Sequence, residues 1–106
     1  MRIEEIDNKY KLLKIIKENP EMTQRQLSNA LGLSLGKTNY LIHSLLSKGW
    51  VKLENFRRSN NKSGYLYLIT PSGIEEKSVL ARKFLKRKSA QYNRLKKEIE
   101  ILKSEI

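Results

Sequence analysis

Apolar residues recur along this chain at two periods, and the changes of period divide it into elements. Ile6, Tyr10, Leu13 and Ile16 follow at three- and four-residue spacing, with Leu12 widening the stripe, which predicts an amphipathic first helix. It begins near Glu4 or Asp7 and stops at Asn19, because Pro20 disfavours helical backbone in the residue before it. The stripe is expected inward and the lysines of this helix outward. Thr23 and Gln26 form a T-x-x-Q capping box, opening a helix that runs to Leu31 with Leu27 and Leu31 inward. Gly32 permits the left-handed turn that ends it, Leu33 anchors the turn, and Ser34 is the N-cap of a third helix. There Thr38, Ile42 and Leu45 share one side with Leu41 at its margin, Gly36, Lys37, Asn39, Tyr40 and His43 lie mostly on the other, and Gly49 ends the run.

The period then shortens. Trp50 to Phe56 and Tyr65 to Thr70 are rich in β-forming residues and flank a polar loop from Arg57 to Gly64. Thr70-Pro71 is a helix start, threonine capping and proline in the first turn, and no further proline follows up to Ile106. A heptad frame puts Ser78, Leu85, Tyr92, Ile99 and Ile106 at a, with Ile74, Ala81, Lys88, Leu95 and Leu102 at d. Helical throughout, this last element is roughly 54 Å long and outruns the small domain, so its far end should pack on a second copy. The predicted seam is Leu85, Tyr92, Leu95, Ile99, Leu102 and Ile106. β-Branched residues at a with leucine at d favour two parallel strands, in which Glu98 would face the partner's Lys103.

The fold class is therefore mainly α with a small β-hairpin: a winged helix-turn-helix over residues 1–70 and a dimerisation helix over 71–106. Charge sharpens that picture. Lys and Arg total 22 against 11 Asp and Glu, a formal net charge of +11. Between Met22 and Ile74 the one acid, Glu54, is set against Arg25, Lys37, Lys48, Lys52, Arg57, Arg58 and Lys62, so the reading unit itself is basic. A polyanionic partner is implied. In a major groove the N-terminal half of helix 34–48 meets base edges: Lys37 suits guanine acceptors or a phosphate, Asn39 suits adenine, Tyr40 and His43 add donors and flat faces, and Gly36 allows close approach. Ser34 caps that helix beside the contact. Thr23, Gln24 and Arg25 form a second phosphate site at a helix N-terminus, and Arg57, Arg58 and Lys62 form a wing directed at the minor groove or flanking phosphates. Trp50, just past a glycine stop, reads as a core plug rather than a stacking platform. The basic run Arg82, Lys83, Lys86, Arg87 and Lys88 suits either DNA backbone or a solvated helix face.

Other chemistry is thinly represented. Without cysteine there are no disulfides or thiolate zinc sites, and one histidine with no clustered carboxylates gives neither a metal nor a cofactor site. No nucleophile–base grouping, P-loop or Rossmann glycine pattern supports an enzyme. Charge interrupts the N-terminus as a signal sequence, and the longest apolar run, Tyr65 to Ile69, is too short for a bilayer, so a cytoplasmic protein is expected.

Three segments carry a family likeness: Leu27-x3-Leu31-Gly32-Leu33-Ser34, Leu45-x3-Gly49-Trp50-Val51, and Ile69-Thr70-Pro71-Ser72-Gly73. On these, Thr23 to Gly73 resembles the winged-helix core of MarR-type bacterial transcriptional regulators. The whole chain, through Ser34-Leu35-Gly36-Lys37, Tyr65-Leu66-Tyr67-Leu68 and Phe84-Leu85-Lys86-Arg87-Lys88, is most similar to the short members associated with exopolysaccharide gene clusters. The resemblance implies a homodimer on a pseudo-palindromic double-stranded operator, with recognition helices ~34 Å apart. It names no effector. Two features depart from the family: Asn60-Asn61-Lys62-Ser63 stands where an aspartate and an arginine are usual in the wing, and one helix at each end replaces several. The rival reading is a winged-helix adaptor for a protein, or an RNA-binding module.

The unopposed cations of the wing make one expectation measurable. Arg57→Ala with Arg58→Ala should weaken binding to any duplex and flatten the dependence of affinity on salt, since fewer counterions are released. An unchanged salt slope would remove the wing from the contact.

Overall fold

The structure is a computed structural model that describes residues 2–57 and 63–106, with only the backbone of Phe56, Arg57, Ser63 and Gly64. Its elements are α1 (Ile3–Glu18), α2 (Gln24–Leu31), α3 (Leu35–Ser47), β1 (Val51–Arg57), β2 (Ser63–Ile69) and α4 (Pro71–Ser104).

Helix α1 is the centre of the core. Leu12, Leu13 and Ile16 are buried with Leu27, Leu41, Ile42, Leu45, Val51 and Leu80, while Ile6 and Tyr10 pack around this cluster partly buried. Two successive leucines lose all exposure because α1 is covered on more than one side, by α4 and by α2, α3 and β2. The buried stripe is thus Lys9-Leu12-Leu13-Ile16, which keeps helical spacing but contains a lysine. Lys9 is 2% exposed, against the expectation that α1 lysines face water. Its ammonium lies 3.5 Å from a Glu5 carboxylate, and burial first, then the neighbouring Lys48, lowers its pKa from the usual lysine value. Leu41, expected at the margin of α3, is also buried, facing the same core.

The caps form as their sequences dictate. Thr23 Oγ1 accepts from the Gln26 amide and Gln26 Oε1 from the Thr23 amide, closing the capping box. Gly32 turns left-handed at φ 68°, and the Leu33 amide donates to the Ser28 carbonyl at 3.0 Å. Ser34 Oγ accepts from the Lys37 amide, and buried Thr38 satisfies its hydroxyl on the Ser34 carbonyl.

Strands β1 and β2 pair antiparallel from Val51↔Ile69 to Arg57↔Ser63. Arg57 therefore closes the ladder rather than lying in the loop; β-formers on both sides carry the pairing past the predicted ends. Arg58 and Lys62, expected in the wing, lie outside the described residues. The Tyr67 amide donates to the Pro20 carbonyl, fixing the hairpin to the α1–α2 connection. Trp50 is half-buried against the core, with the Lys48 ammonium 4.6 Å above its ring, so it plugs the core with only part of its surface.

α4 is one unbroken helix of 34 residues, roughly 51 Å at 1.5 Å per residue. Its first half lies on α1. Gly73 and Leu80 are buried, Phe84 stacks on Tyr10 at 5.4 Å, and Arg87 pairs with Asp7. That face, 73-80-84-87, is not the heptad seam: Leu80 and Phe84 fall outside a and d, because α1 rather than a second copy sets the packing there. From Lys88 onward every residue is exposed.

At Gly73 a Cβ would stand 2.0 Å from the Trp50 carbonyl oxygen and 2.8 Å from Ile69 Cγ1. The first of these is backbone and cannot rotate away. Gly73→Ala should cost about 3 kcal/mol of stability, read as a lowered denaturant midpoint. A variant as stable as the parent would show that α4 can leave the hairpin by another path.

Candidate nucleic-acid interface

The sequence of α3 sorts its side chains by period, and packing against α2, β1 and α1 decides which face remains. Thr38, Leu41, Ile42 and Leu45 are buried, leaving Gly36, Lys37, Tyr40 and His43 exposed and Asn39 partly so. Tyr40 is 61% exposed, much for a tyrosine that packing does not require there. Gly36 is more telling. A Cβ at this position would meet nothing within 4 Å, and its backbone is helical, so the fold has no need of glycine. It is the second residue of α3, in the first turn, where packing within the chain does not call for glycine.

Two of the predicted reading side chains have partners from other elements. Lys37 Nζ lies 3.2 Å from Glu4 Oε1 of α1. Asn39 Nδ2 donates to Gln24 Oε1 of α2 at 3.2 Å. The first contact also shapes a groove between α1 and α3, lined by Arg2, Glu4, Glu5, Asn8, Lys37, Tyr40 and Leu41. Sequence reasoning missed Glu4, since 33 residues separate it from Lys37 and no local pattern links them.

The α2 N-terminus stands beside this face through the Gln24–Asn39 bond. Its capping box occupies the Gln26 amide, while the first-turn amides of Gln24 and Arg25 have no carbonyl one turn earlier in the helix. Thr23 and Arg25 are exposed, so the amides and the Arg25 guanidinium can meet one anion. Of the wing, Arg57 is placed by its backbone at the end of β1. The basic run of α4 is partly engaged within the chain: Arg87 holds Asp7, and Lys88 lies 5.3 Å above the Phe84 ring. Among the described residues no group of three or more His, Cys, Asp or Glu could hold a metal ion, and no helix is long and apolar enough to cross a membrane.

A capped helix pair joined by a left-handed glycine, followed by a two-stranded hairpin, is the winged helix-turn-helix fold. Residues 7–52 match the family described as winged helix-turn-helix DNA-binding. Solved structures share this fold, among them a MarR protein and transcriptional regulators. A MarR protein from Peptoclostridium difficile aligns with TM-score 0.64 at 20% identity, over 80% of this chain and 54% of that one. The PcaV transcriptional regulator from Streptomyces coelicolor aligns at 0.59 and 15% identity, over 93% of this chain and 79% of that one. A mutant of MepR from S. aureus, bound to an oligodeoxyribonucleotide, aligns at 0.56 and 17% identity, over 92% and 72%. The chain thus spans about half the length of the first of these. Comparison with curated proteins gives no match.

The Glu4 carboxylate competes with any phosphate or base for Lys37. Glu4→Gln should tighten binding to every duplex several-fold at low salt and steepen the salt dependence by up to one counterion, roughly. Equal affinity for parent and variant across the salt range would place Lys37 away from the DNA.

Proposed function

We propose that this protein is a homodimeric transcriptional regulator of the MarR type that binds double-stranded DNA sequence-specifically. The observation that carries the reading is the outer face of α3: Gly36, Lys37, Tyr40 and His43 stand exposed, and an unforced glycine leaves room for close approach. Lys37 and Asn39 would address base edges, the α2 N-terminus with Thr23, Gln24 and Arg25 would hold a phosphate, and Arg57, Arg58 and Lys62 would reach the flanking backbone. The family match over residues 7–52 and the MepR structure with an oligodeoxyribonucleotide support DNA as the partner. Residues 1–70 form the binding domain and 71–106 the dimerisation helix in this proposal. Control of exopolysaccharide genes and a cytoplasmic location belong to it as well, the former resting on the likeness of Ser34 to Lys37 and of the β2 strand.

Dimerisation is supported by what α4 leaves uncovered. Tyr92, Leu95, Ile99, Leu102 and Ile106 are all exposed in the isolated chain and keep heptad spacing over two heptads. A second copy would cover them. The interhelical Glu98–Lys103 pair, worth a few tenths of a kcal/mol at roughly surface exposure, can bias a parallel arrangement without holding it.

Selection of bound sequences from random duplex DNA at several salt concentrations tests the reading directly, and a two-fold related motif is the expected result. Leu95→Glu with Leu102→Glu should give folded monomers in sedimentation that bind the full motif poorly. A parent that sediments as a monomer at micromolar concentration, or a pool that enriches no motif, would overturn it.

A further inference from the structure

We propose that the groove between α1 and α3 binds a small zwitterion, an α-amino acid with an apolar side chain, and that its occupancy withdraws Lys37 and Tyr40 from DNA. Binding itself needs no duplex; the effect on duplex affinity rests on the DNA-binding reading above.

The groove measures about 230 Å³. That is below the roughly 300 Å³ at which pockets for drug-sized ligands begin, so its occupant is small. Asn8 lines it and is only 8% exposed, yet its carboxamide makes no hydrogen bond among the described residues. A buried amide so placed calls for a polar partner that enters through the groove.

The surrounding charges decide what that partner is. Glu5 is taken up by Lys9 at 3.5 Å, which leaves Glu4 facing Lys37 at 3.2 Å, with exposed Arg2 lining the same groove. Arg2 is also the N-cap of α1 and makes no side-chain cap, so the first-turn amides are donors without a partner in the helix. A lone anion gains Lys37 and these amides but is repelled by Glu4. A lone cation gains Glu4 but is repelled by Lys37 and Arg2. A molecule carrying both charges on one carbon exchanges one open ion pair for two. Its carboxylate takes Lys37, Arg2 and the α1 amides, its ammonium takes Glu4, and Asn8 bonds to either. The exposed Tyr40 ring, above buried Leu41, receives the apolar side chain. Lys37 and Tyr40 are then covered, and both belong to the face assigned to DNA.

The experiment is calorimetric titration of the full-length protein with l-leucine, with leucinamide, which keeps only the ammonium, and with N-acetyl-leucine, which keeps only the carboxylate. Saturable binding of leucine at millimolar concentration is expected, with both derivatives several-fold weaker. Asn8→Ala should weaken leucine binding on the order of tenfold, since it removes a hydrogen bond to a charged group, and should leave duplex affinity without leucine unchanged. Glu4→Gln should reverse the order, so that N-acetyl-leucine binds better than leucine. Thermal melts first confirm that each variant folds, and Glu4→Gln, at an exposed position, carries the test alone should Asn8→Ala not fold. Leucine should also weaken the parent's hold on every duplex several-fold, an effect smaller in Asn8→Ala. The proposal is overturned if leucine does not saturate, if either derivative binds the parent as tightly as leucine, or if the folded variants bind leucine as the parent does. Leucine binding with unchanged duplex affinity would overturn the coupling to DNA. A parent that titrates with leucine but enriches no motif from random duplexes would instead remove the DNA-binding reading and leave this site standing.

Discussion

Everything that gives this molecule its shape passes through one backbone junction, where the carbonyls of Gly49 and Trp50 meet the turn into α4. The Trp50 carbonyl accepts from the Thr70 amide at 3.0 Å, and the Gly49 carbonyl accepts from the hydroxyls of Thr70 at 2.6 Å and Ser72 at 3.1 Å. Thr70 Oγ1 in turn accepts from the Gly73 amide as the N-cap of α4. The end of α3, the start of β1, the end of β2 and the start of α4 are thereby joined within a few residues. Left-handed Gly49, at φ 72°, lets the chain reverse out of α3, and Gly73 lets α4 approach the Trp50 carbonyl. The wing cannot move relative to α3 without breaking this junction, nor can α4 change its direction of departure.

Local chemistry is what the sequence made legible. The capping box of Thr23 and Gln26, the left-handed Gly32, the Ser34 cap and the Thr70-Pro71 start each depend on residues three or four apart, and each formed where its residues stand. What escaped was set between distant elements. Lys9 keeps perfect spacing with Leu12, Leu13 and Ile16, but its type argued for solvent, and its burial beside Lys48 at the end of α3 depends on elements distant in sequence. Leu80 and Phe84 fall outside the heptad frame, because the core and α1 set the packing of the first half of α4. At the hairpin tip the strands run one or two residues past the predicted ends, and at its base they stop one residue short, because β-propensity fades gradually while pairing ends with the ladder. For the candidate interface, spacing identified which side chains stand on the outer face of α3, yet gave no sign of the Glu4 and Gln24 contacts, which span 33 and 15 residues.

These contacts change what the net charge means. A formal +11 suggests cations in excess everywhere, but the acids of α1 are set against particular ones. Asp7 holds Arg87, Glu5 lies beside Lys9 and Glu4 lies beside Lys37, so α1 links to α4 and to α3 through ion pairs of very different exposure. The Arg87–Asp7 pair is largely shielded and fixes α4 to the domain. The Lys37–Glu4 pair is open to water, so it contributes little to stability and is readily exchanged for another anion. The same element thus builds a permanent contact on one side and a replaceable one on the other.

α4 connects these facts to assembly. A side-chain pattern can satisfy one partner at a time, and this helix changes partner along its length: Gly73 lies on the Trp50 carbonyl, Leu80 joins the core, Phe84 and Arg87 meet Tyr10 and Asp7 of α1, whereas Tyr92, Leu95, Ile99 and Leu102 are exposed. At 3.6 residues per turn the outer stripe is centred roughly a fifth of a turn from the inner one, and the two do not compete because they occupy different lengths of the helix. Because the helix runs unbroken from Pro71 to Ser104, that angular offset is built into it rather than left to a hinge. In a symmetric pair, the offset together with the junction at Trp50 would set the spread between the two α3 helices. The spacing of operator half-sites would then follow from two rigid features, the Thr70 cap and the phase of the apolar ladder, neither of which touches DNA.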